Sequence, residues 1–474
     1  MMILARRPEQ EQLETLFQGK EPAFLAVYGR RRIGKTYLVQ QFFAAKEDCF
    51  YVETTGVANA TTTEQLQNMA LILGEEDRPA SWSSAFHTLW SQIDGLPKRK
   101  KVVIFLDELP WLASPKSGFL PALDFFWNRL LSRRPNSLLI VCGSAAAWMI
   151  RKVINNKAGL HNRVTHRMPM EPFTISETAL YLEGRGVSLN RKQVLELYMA
   201  LGGVALYLNH VAPGQSAAQN IDRICFAPGA FLADEFGRLF RSLFGANGHH
   251  VDIIRALAGK KLGLQSEAIL TATGLQSGGT FTRVLDELTR SGFVMATAET
   301  GKKTKGTRYR LIDEYSLFYL TWIEPRPKNS ASQGTWMRLQ KSGKHNAWAG
   351  YAFENFCFRH IRELVRALKL EVVYDTVSTW SIGRDGDEAG AQIDLVIDRR
   401  DNCMNLCEMK FAKAQYAVTP AMAKNLNHKR QRFEAAIKTR KQLFTTLVTT
   451  FGAKPNAAYL DAVDQQLSLD DFFE

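Results

Sequence analysis

The sequence predicts an α/β protein of several domains that opens on a parallel sheet. Three observations carry this. Short apolar runs at 24–28 (FLAVY), 49–52 (CFYV), 102–106 (VVIFL) and 138–142 (LLIVC), with a fifth strand read at 166–170 (HRMPM), alternate with helical stretches. Strands covered on both faces by helices have this pattern. From Ile175 the pattern turns helical, and strands return only near the C-terminal end. The length of 474 residues corresponds to roughly three domains.

Composition narrows the class. Hydrophobic residues make up 46% and charged residues 23%, ordinary values for a globular chain. The longest apolar stretch, 138–150, falls short of the ~20 residues that span a bilayer. The start, MMILARRPEQ, lacks the order of a signal peptide. A cytoplasmic protein with no membrane partner is expected. The six cysteines are scattered, and Cys403 and Cys407 have no partner pair at zinc-finger spacing, so reduced thiols are expected. Sixty Lys and Arg against 47 Asp and Glu leave a net charge of +13, which suits a nucleic-acid partner without requiring one.

Residues 1–20 read as a helix with Leu13, Leu16 and Phe17 on one face. The first strand then runs into Gly29-Arg-Arg-Arg-Ile-Gly34-Lys35-Thr36, which fits G-x-x-x-x-G-K-[ST]. The glycines turn backbone N–H groups toward phosphates. Lys35 supplies charge to the β and γ phosphates, and Thr36 offers a hydroxyl to Mg²⁺. The following helix points its positive end at the same anion. A buried strand before the loop and a helix after it are the context that such a site needs. The third strand ends in Asp107-Glu108. Asp107 is placed to hold the Mg²⁺ shell and Glu108 to orient an attacking water. The cofactors expected are therefore ATP and Mg²⁺. Ser144, ending the fourth strand, either meets the γ-phosphate or caps a helix. Arg163 either stabilises charge, in cis or across a subunit contact, or forms a surface ion pair.

With ARRPEQEQLETL, YGRRRIGKTYLV, VVIFLDELPWL, LLIVCGSAAAWM and GLHNRVTHRMPMEPF, the chain resembles the archaeal-type ATPases, of the AAA+/STAND branch of P-loop NTPases. Arg6 and Glu9 match the family's R-x-x-E. GGVALY matches its lid signature G-G-x-P-x-Y, with Ala205 in place of Pro. YRLIDEYSLFYLTWIEP resembles the segment after the family's winged helix. The resemblance implies an AAA+-like core at 1–172, a helical lid at 173–246, a winged helix at 247–312 and a nuclease-like domain at 346–474. It also leaves room for a homo-oligomer. Residues 313–345, with Pro325, Pro327 and KNSASQG, read as a linker.

The winged helix also has its own signal: helices at 251–258, 265–272 and 279–290, then a hairpin. In the last domain, QIDLVID and NLCEMK place Asp394, Glu408 and Lys410 in the form D-x₁₃-E-x-K. Glu408 and Lys410, two apart on a strand, share a face. Asp394 lies on the paired strand, and Glu354, on the preceding helix, is placed to complete a metal shell. Two carboxylates can bind Mg²⁺ while a lysine polarises a water. The arrangement resembles the PD-(D/E)xK nuclease fold, an α/β restriction-endonuclease-like domain. A hairpin with solvated charges is the alternative.

Basic residues extend the argument to DNA. The wing carries Lys302, Lys303, Lys305, Arg308 and Arg310, with no acid at 301–310. The third helix offers Arg283. Residues 424–441 hold seven Lys and Arg against Glu434 alone. Backbone contact with duplex DNA is expected more than base readout. The expected function is an ATP-binding and hydrolysing protein acting on DNA, with Mg²⁺-dependent nuclease activity at the C-terminus. The alternative is an ATP-dependent switch or scaffold with an inactive nuclease domain.

Overall fold

A computed structural model describes residues 4–155, 162–245, 248–302, 306–327, 332–386 and 388–473. The chain forms two compact units, Met1–Pro172 and Phe173–Glu474.

In the first unit, β1 (Ala23–Gly29), β2 (Cys49–Thr55), β3 (Lys101–Asp107), β4 (Ser137–Gly143) and β5 (His166–Met170) pair in parallel in the order β2-β3-β4-β1-β5. β4 lies between β1 and β3, so the loop after β1, the acids after β3 and Ser144 after β4 emerge side by side. Alternate residues face opposite cores. Phe24, Ala26, Ile104 and Val141 pack on one side, and Leu25, Val27, Phe105 and Ile140 on the other. Each such aliphatic or aromatic side chain contributes about 1.5–3 kcal/mol by leaving water. The helical region 60–95 is two helices, Thr62–Leu73 and Trp82–Asp94, each opened by a reciprocal capping box. The longer helix between β3 and β4 is α-helical over Phe119–Phe125. It then widens to a π turn, Phe126–Leu130, in which Phe126 and Trp127 are both buried.

The second unit begins with helices. Gly203 is needed at the first bend, because a Cβ there would lie 2.0 Å from the Phe173 carbonyl oxygen. The short helix Ala205–Leu208 starts at Ala205. Proline suits that first helical position, so alanine retains the geometry. Helices His249–Leu257, Ser266–Thr273 and Gly279–Arg290 precede an antiparallel hairpin, β6 (Val294–Glu299) and β7 (Arg308–Leu311).

The hairpin does not stand apart. β6 pairs in parallel with β8 (Tyr374–Ile382), through Ala298↔Ser378 and Glu299↔Thr379. One seven-stranded sheet results, in the order β12-β11-β10-β9-β8-β6-β7, with β9 (Ala391–Arg399), β10 (Cys403–Lys410), β11 (Gln442–Thr449) and β12 (Gln465–Leu467).

Residues 313–345 differ from the linker expected. They carry helices Glu314–Phe318 and Thr335–Leu339, with Tyr315, Phe318, Trp322 and Trp336 buried. Asp222 accepts from the backbone N–H groups of Gly334 (2.6 Å) and Trp336 (2.7 Å). The prolines follow the π turn Tyr319–Ile323, and most of the polar run, 328–331, lies outside the described residues. The aromatic residues on either side outweigh those two breaker signals.

Candidate functional sites

The loop after β1 is shaped by its backbone. A Cβ at Gly29 would lie 2.0 Å from Met170 O, so only glycine fits beside β5. Arg32 and Gly34 take left-handed conformations, φ 73° and 93°, and Gly34 leads directly into helix Lys35–Ala44. Arg6 supports the loop from the entry helix, donating to the Ile33 carbonyl at 3.3 Å and pairing with Glu9 at 3.3 Å.

Five predicted residues converge. The buried Lys35 Nζ donates to Arg30 O at 2.8 Å and to Ser144 Oγ at 3.1 Å. Ser144 Oγ donates in turn to Glu108 Oε1 at 2.7 Å. Thr36 Oγ1 donates to Asp107 Oδ2 at 2.7 Å. Glu108 is held at φ 46°, a left-handed conformation costly for a non-glycine residue and common at functional sites. Burial pulls the Lys35 ammonium below its ordinary pKa, while Cys142, Glu108 and Asp107 oppose that shift. A phosphate chain would offset the same desolvation. Asp107 Oδ1 is buried without a full hydrogen-bond partner. The Cys142 thiol beside it is at most a weak donor. A hydroxyl and a carboxylate with a free oxygen lobe fit Mg²⁺, and the loop fits a nucleotide's phosphates. Arg163 lies on the exposed turn before β5, and these contacts do not include it.

The second cluster lies on the seven-stranded sheet. β9 and β10 are antiparallel, with Cys407 opposite Leu395. Continuing that register places Glu408 across from Asp394. Asp394 Oδ2 accepts from Met409 N at 3.0 Å. Lys410 Nζ meets Glu408 Oε1 at 2.7 Å, and Lys429, from helix Pro420–Ile437, meets Oε2 at 2.6 Å. Burial, then Glu408 and Glu354, raise Asp394 to about 7. Burial also pushes Glu408 up, but Lys410 and Lys429 more than reverse this and leave it below its ordinary value.

Glu354 departs from its expected role. It faces Arg310 of β7 at 3.0 Å and Lys261 at 3.6 Å. Arg310 is itself buried, bonded to Asn355 Oδ1 at 2.6 Å and flanked by the Tyr351 and Phe358 rings. Among the described residues, no three His, Cys, Asp or Glu side chains gather closely enough to hold a metal. Asp394 and Glu408 together fit a divalent cation as two hard oxygen donors on one face. Glu354, the third carboxylate expected there, is engaged by Arg310 and Lys261.

The basic runs are partly neutralised by acids from other positions. Glu299, buried at the end of β6, pairs with Lys302 at 2.7 Å and Arg308 at 3.0 Å. It lies two residues outside the acid-free window. Arg283 lies 3.6 Å from Glu287. In the 424–441 run, Lys429, Arg430, Arg432 and Lys441 pair with Glu408, Asp464, Glu388 and Asp398. Lys424, Lys438 and Arg440 remain exposed. Lys303 and Lys305 lie outside the described residues. All six cysteines are free thiols. No helix among the described residues is long and apolar enough to cross a membrane.

The first site thus belongs to an ATPase. A family model described as an ATPase domain predominantly from Archaea matches residues 4–211, which include every residue of the phosphate loop and its acids. An uncharacterized protein of Methanocaldococcus jannaschii is 23% identical over 400 residues, 83% of this chain and 84% of its own length. Among solved structures, a Walker-type ATPase of Pyrococcus abyssi is 15% identical with a TM-score of 0.47, over 67% of this chain and 96% of its own. The ORC2 protein of Aeropyrum pernix is 18% identical with a TM-score of 0.43, over 71% and 95%.

Proposed function

We propose that this ATPase acts on duplex DNA and that its C-terminal sheet carries a Mg²⁺- or Mn²⁺-dependent nuclease site. The nucleotide half rests on the convergence of Lys35, Thr36, Asp107, Glu108 and Ser144. Lys35 binds the β and γ phosphates. Thr36 and Asp107 would hold Mg²⁺, and the ion would supply neutralisation of phosphate charge there. Glu108 orients the water and Ser144 reports the γ-phosphate to it. Arg163 is assigned to a charge-stabilising role, in cis or across a contact between copies of the chain.

The cluster of Asp394, Glu408 and Lys410 supports the nuclease reading. The two carboxylates would hold the cation and Lys410 would stabilise charge on the phosphate. The helices at 249–290 with the β6–β7 hairpin are assigned as a winged helix, and 173–246 as a lid. Exposed Lys424, Lys438 and Arg440, with Arg283, supply phosphate contacts. Plasmid incubated with the protein, Mn²⁺ and ATP is expected to be nicked. The activity should be lost in Asp394→Ala, Glu408→Ala and Lys410→Ala, which should still bind ATP. Intact plasmid across metals and nucleotides would refute the nuclease reading.

Two observations favour a second reading, an ATP-dependent switch with an inactive nuclease fold. Glu354 pairs with Arg310 and wing cations pair with Glu299. A salt-dependent shift of duplex DNA without cleavage would select it.

A further inference from the structure

Glu408 holds two lysines, one on each oxygen. Lys410 is its neighbour on the strand. Lys429 comes from helix Pro420–Ile437, with its Nζ 2.6 Å from Oε2 and its side chain 17% exposed. Local neutralisation of one carboxylate needs only one ammonium. Asp394, across the strand pair, accepts from Met409 N at 3.0 Å, and neither lysine is paired with it among the described contacts. Both oxygens of Glu408 are thus taken by ammonium groups, and a divalent cation shared with Asp394 has to displace one of them.

We propose that Lys429 is a positioning residue of the C-terminal site. Its ammonium and a divalent cation compete for Glu408 Oε2, and cation binding frees Lys429 to face the phosphate of the nucleic acid. Sequence spacing gives no hint of this role. Lys429 lies 19 positions beyond Lys410, inside a basic helix that reads as a solvated face. The proposal rests on the reading of Asp394 and Glu408 as a cation pair, and the test separates the two.

Mn²⁺ binding to the full chain, without nucleotide or DNA, is titrated in wild type, Glu408→Gln, Lys429→Met and Lys454→Met. Glu408→Gln should lose the site. Lys429→Met should bind Mn²⁺ about three- to tenfold tighter, because a competing positive charge has gone. Lys454→Met, which removes an exposed charge elsewhere in the same domain, should match wild type. With Mn²⁺ present, Lys429→Met should also bind duplex DNA several-fold more weakly. If Lys429→Met does not fold, Lys429→Gln keeps a donor without the charge and carries the same expectation. Identical Mn²⁺ binding by wild type and Glu408→Gln would overturn the cation-pair reading itself. A Glu408-dependent site whose affinity is unchanged or weaker in the neutral Lys429 variants would overturn the role of Lys429 alone.

Discussion

The two clusters are built in opposite ways. In the first unit, eight consecutive residues make the phosphate loop, and backbone geometry fixes it. Gly29 is pressed against Met170 O, Gly34 is left-handed, and β4 brings Ser144 to Lys35. In the second unit, Asp394, Glu408 and Lys429 come from two strands and a helix, and ion pairs between side chains hold them. A backbone-made site tolerates few substitutions but keeps its shape when one charge is lost. A site made of coupled charges should rearrange with each.

The largest effect should follow removal of Lys35. Lys35→Ala is expected to weaken ATP binding about 100-fold or more, since it deletes the buried ammonium on the transferred phosphates. Titration calorimetry with ATP and Mg²⁺ checks this. Wild-type affinity would remove the loop from the nucleotide site.

Arg310→Ala should come next. It leaves Glu354 buried against Lys261 alone, and breaking a buried pair costs about 3–5 kcal/mol. Because β6 is part of the C-terminal sheet, the loss should appear in the unfolding of the second unit, with ATP affinity retained. Chemical denaturation followed by the buried tryptophans Trp322, Trp336 and Trp348 would report it.

The second unit should also carry two opposed pH dependences. Asp394 is raised from 3.8 to about 7. Its contribution is fully present below 3.8 and is lost as pH rises through 7. Asp394→Asn should therefore stabilise the unit more at pH 8 than at pH 5. His360 is lowered from 6.5 to about 3 by burial. Its neutral ring accepts from Ile175 N and donates to Phe356 O, both at 2.9 Å. That contribution is present above 6.5 and is lost as pH falls toward 3. Thermal melts from pH 4 to 8 on Asp394→Asn and on the wild type separate the two.

The smallest effect concerns DNA. Lys302→Ala and Arg308→Ala should each change duplex affinity less than Lys424→Ala does, because Glu299 already holds the first two. Glu299→Gln should free both cations, tighten binding and steepen its salt dependence by about one to two counterions. Equal salt slopes in wild type and Glu299→Gln would take the wing off the DNA.

The same contrast explains what the sequence made legible. β1, β3 and β4 could be read because each is a continuous apolar run buried on both faces, whereas β2 is half-buried and β5 carries exposed His166 and Arg167. Lys35, Thr36, Asp107, Glu108 and Ser144 could be read because their motifs are local. Asp464 and Glu388 reach the basic helix from distant parts of the chain, and Glu299 stands just two residues before the acid-free stretch 301–310. The packed helices of 313–345 were hidden by two prolines and a polar run, although Tyr315, Phe318 and Trp322 recur at a helical period. Glu354 was placed on the correct helix. Nothing in its neighbourhood announced that Arg310, 44 residues earlier in the chain, would take its carboxylate.

The most direct test of the account is single-turnover and steady-state ATP hydrolysis by Glu108→Gln. The variant keeps the side chain's shape and a hydrogen-bond acceptor for Ser144, and removes the charge that orients the water. ATP affinity should stay within about threefold of wild type, and turnover should fall about 100-fold or more. Unchanged turnover at full ATP occupancy would contradict the assignment of Glu108 and of the site built around it.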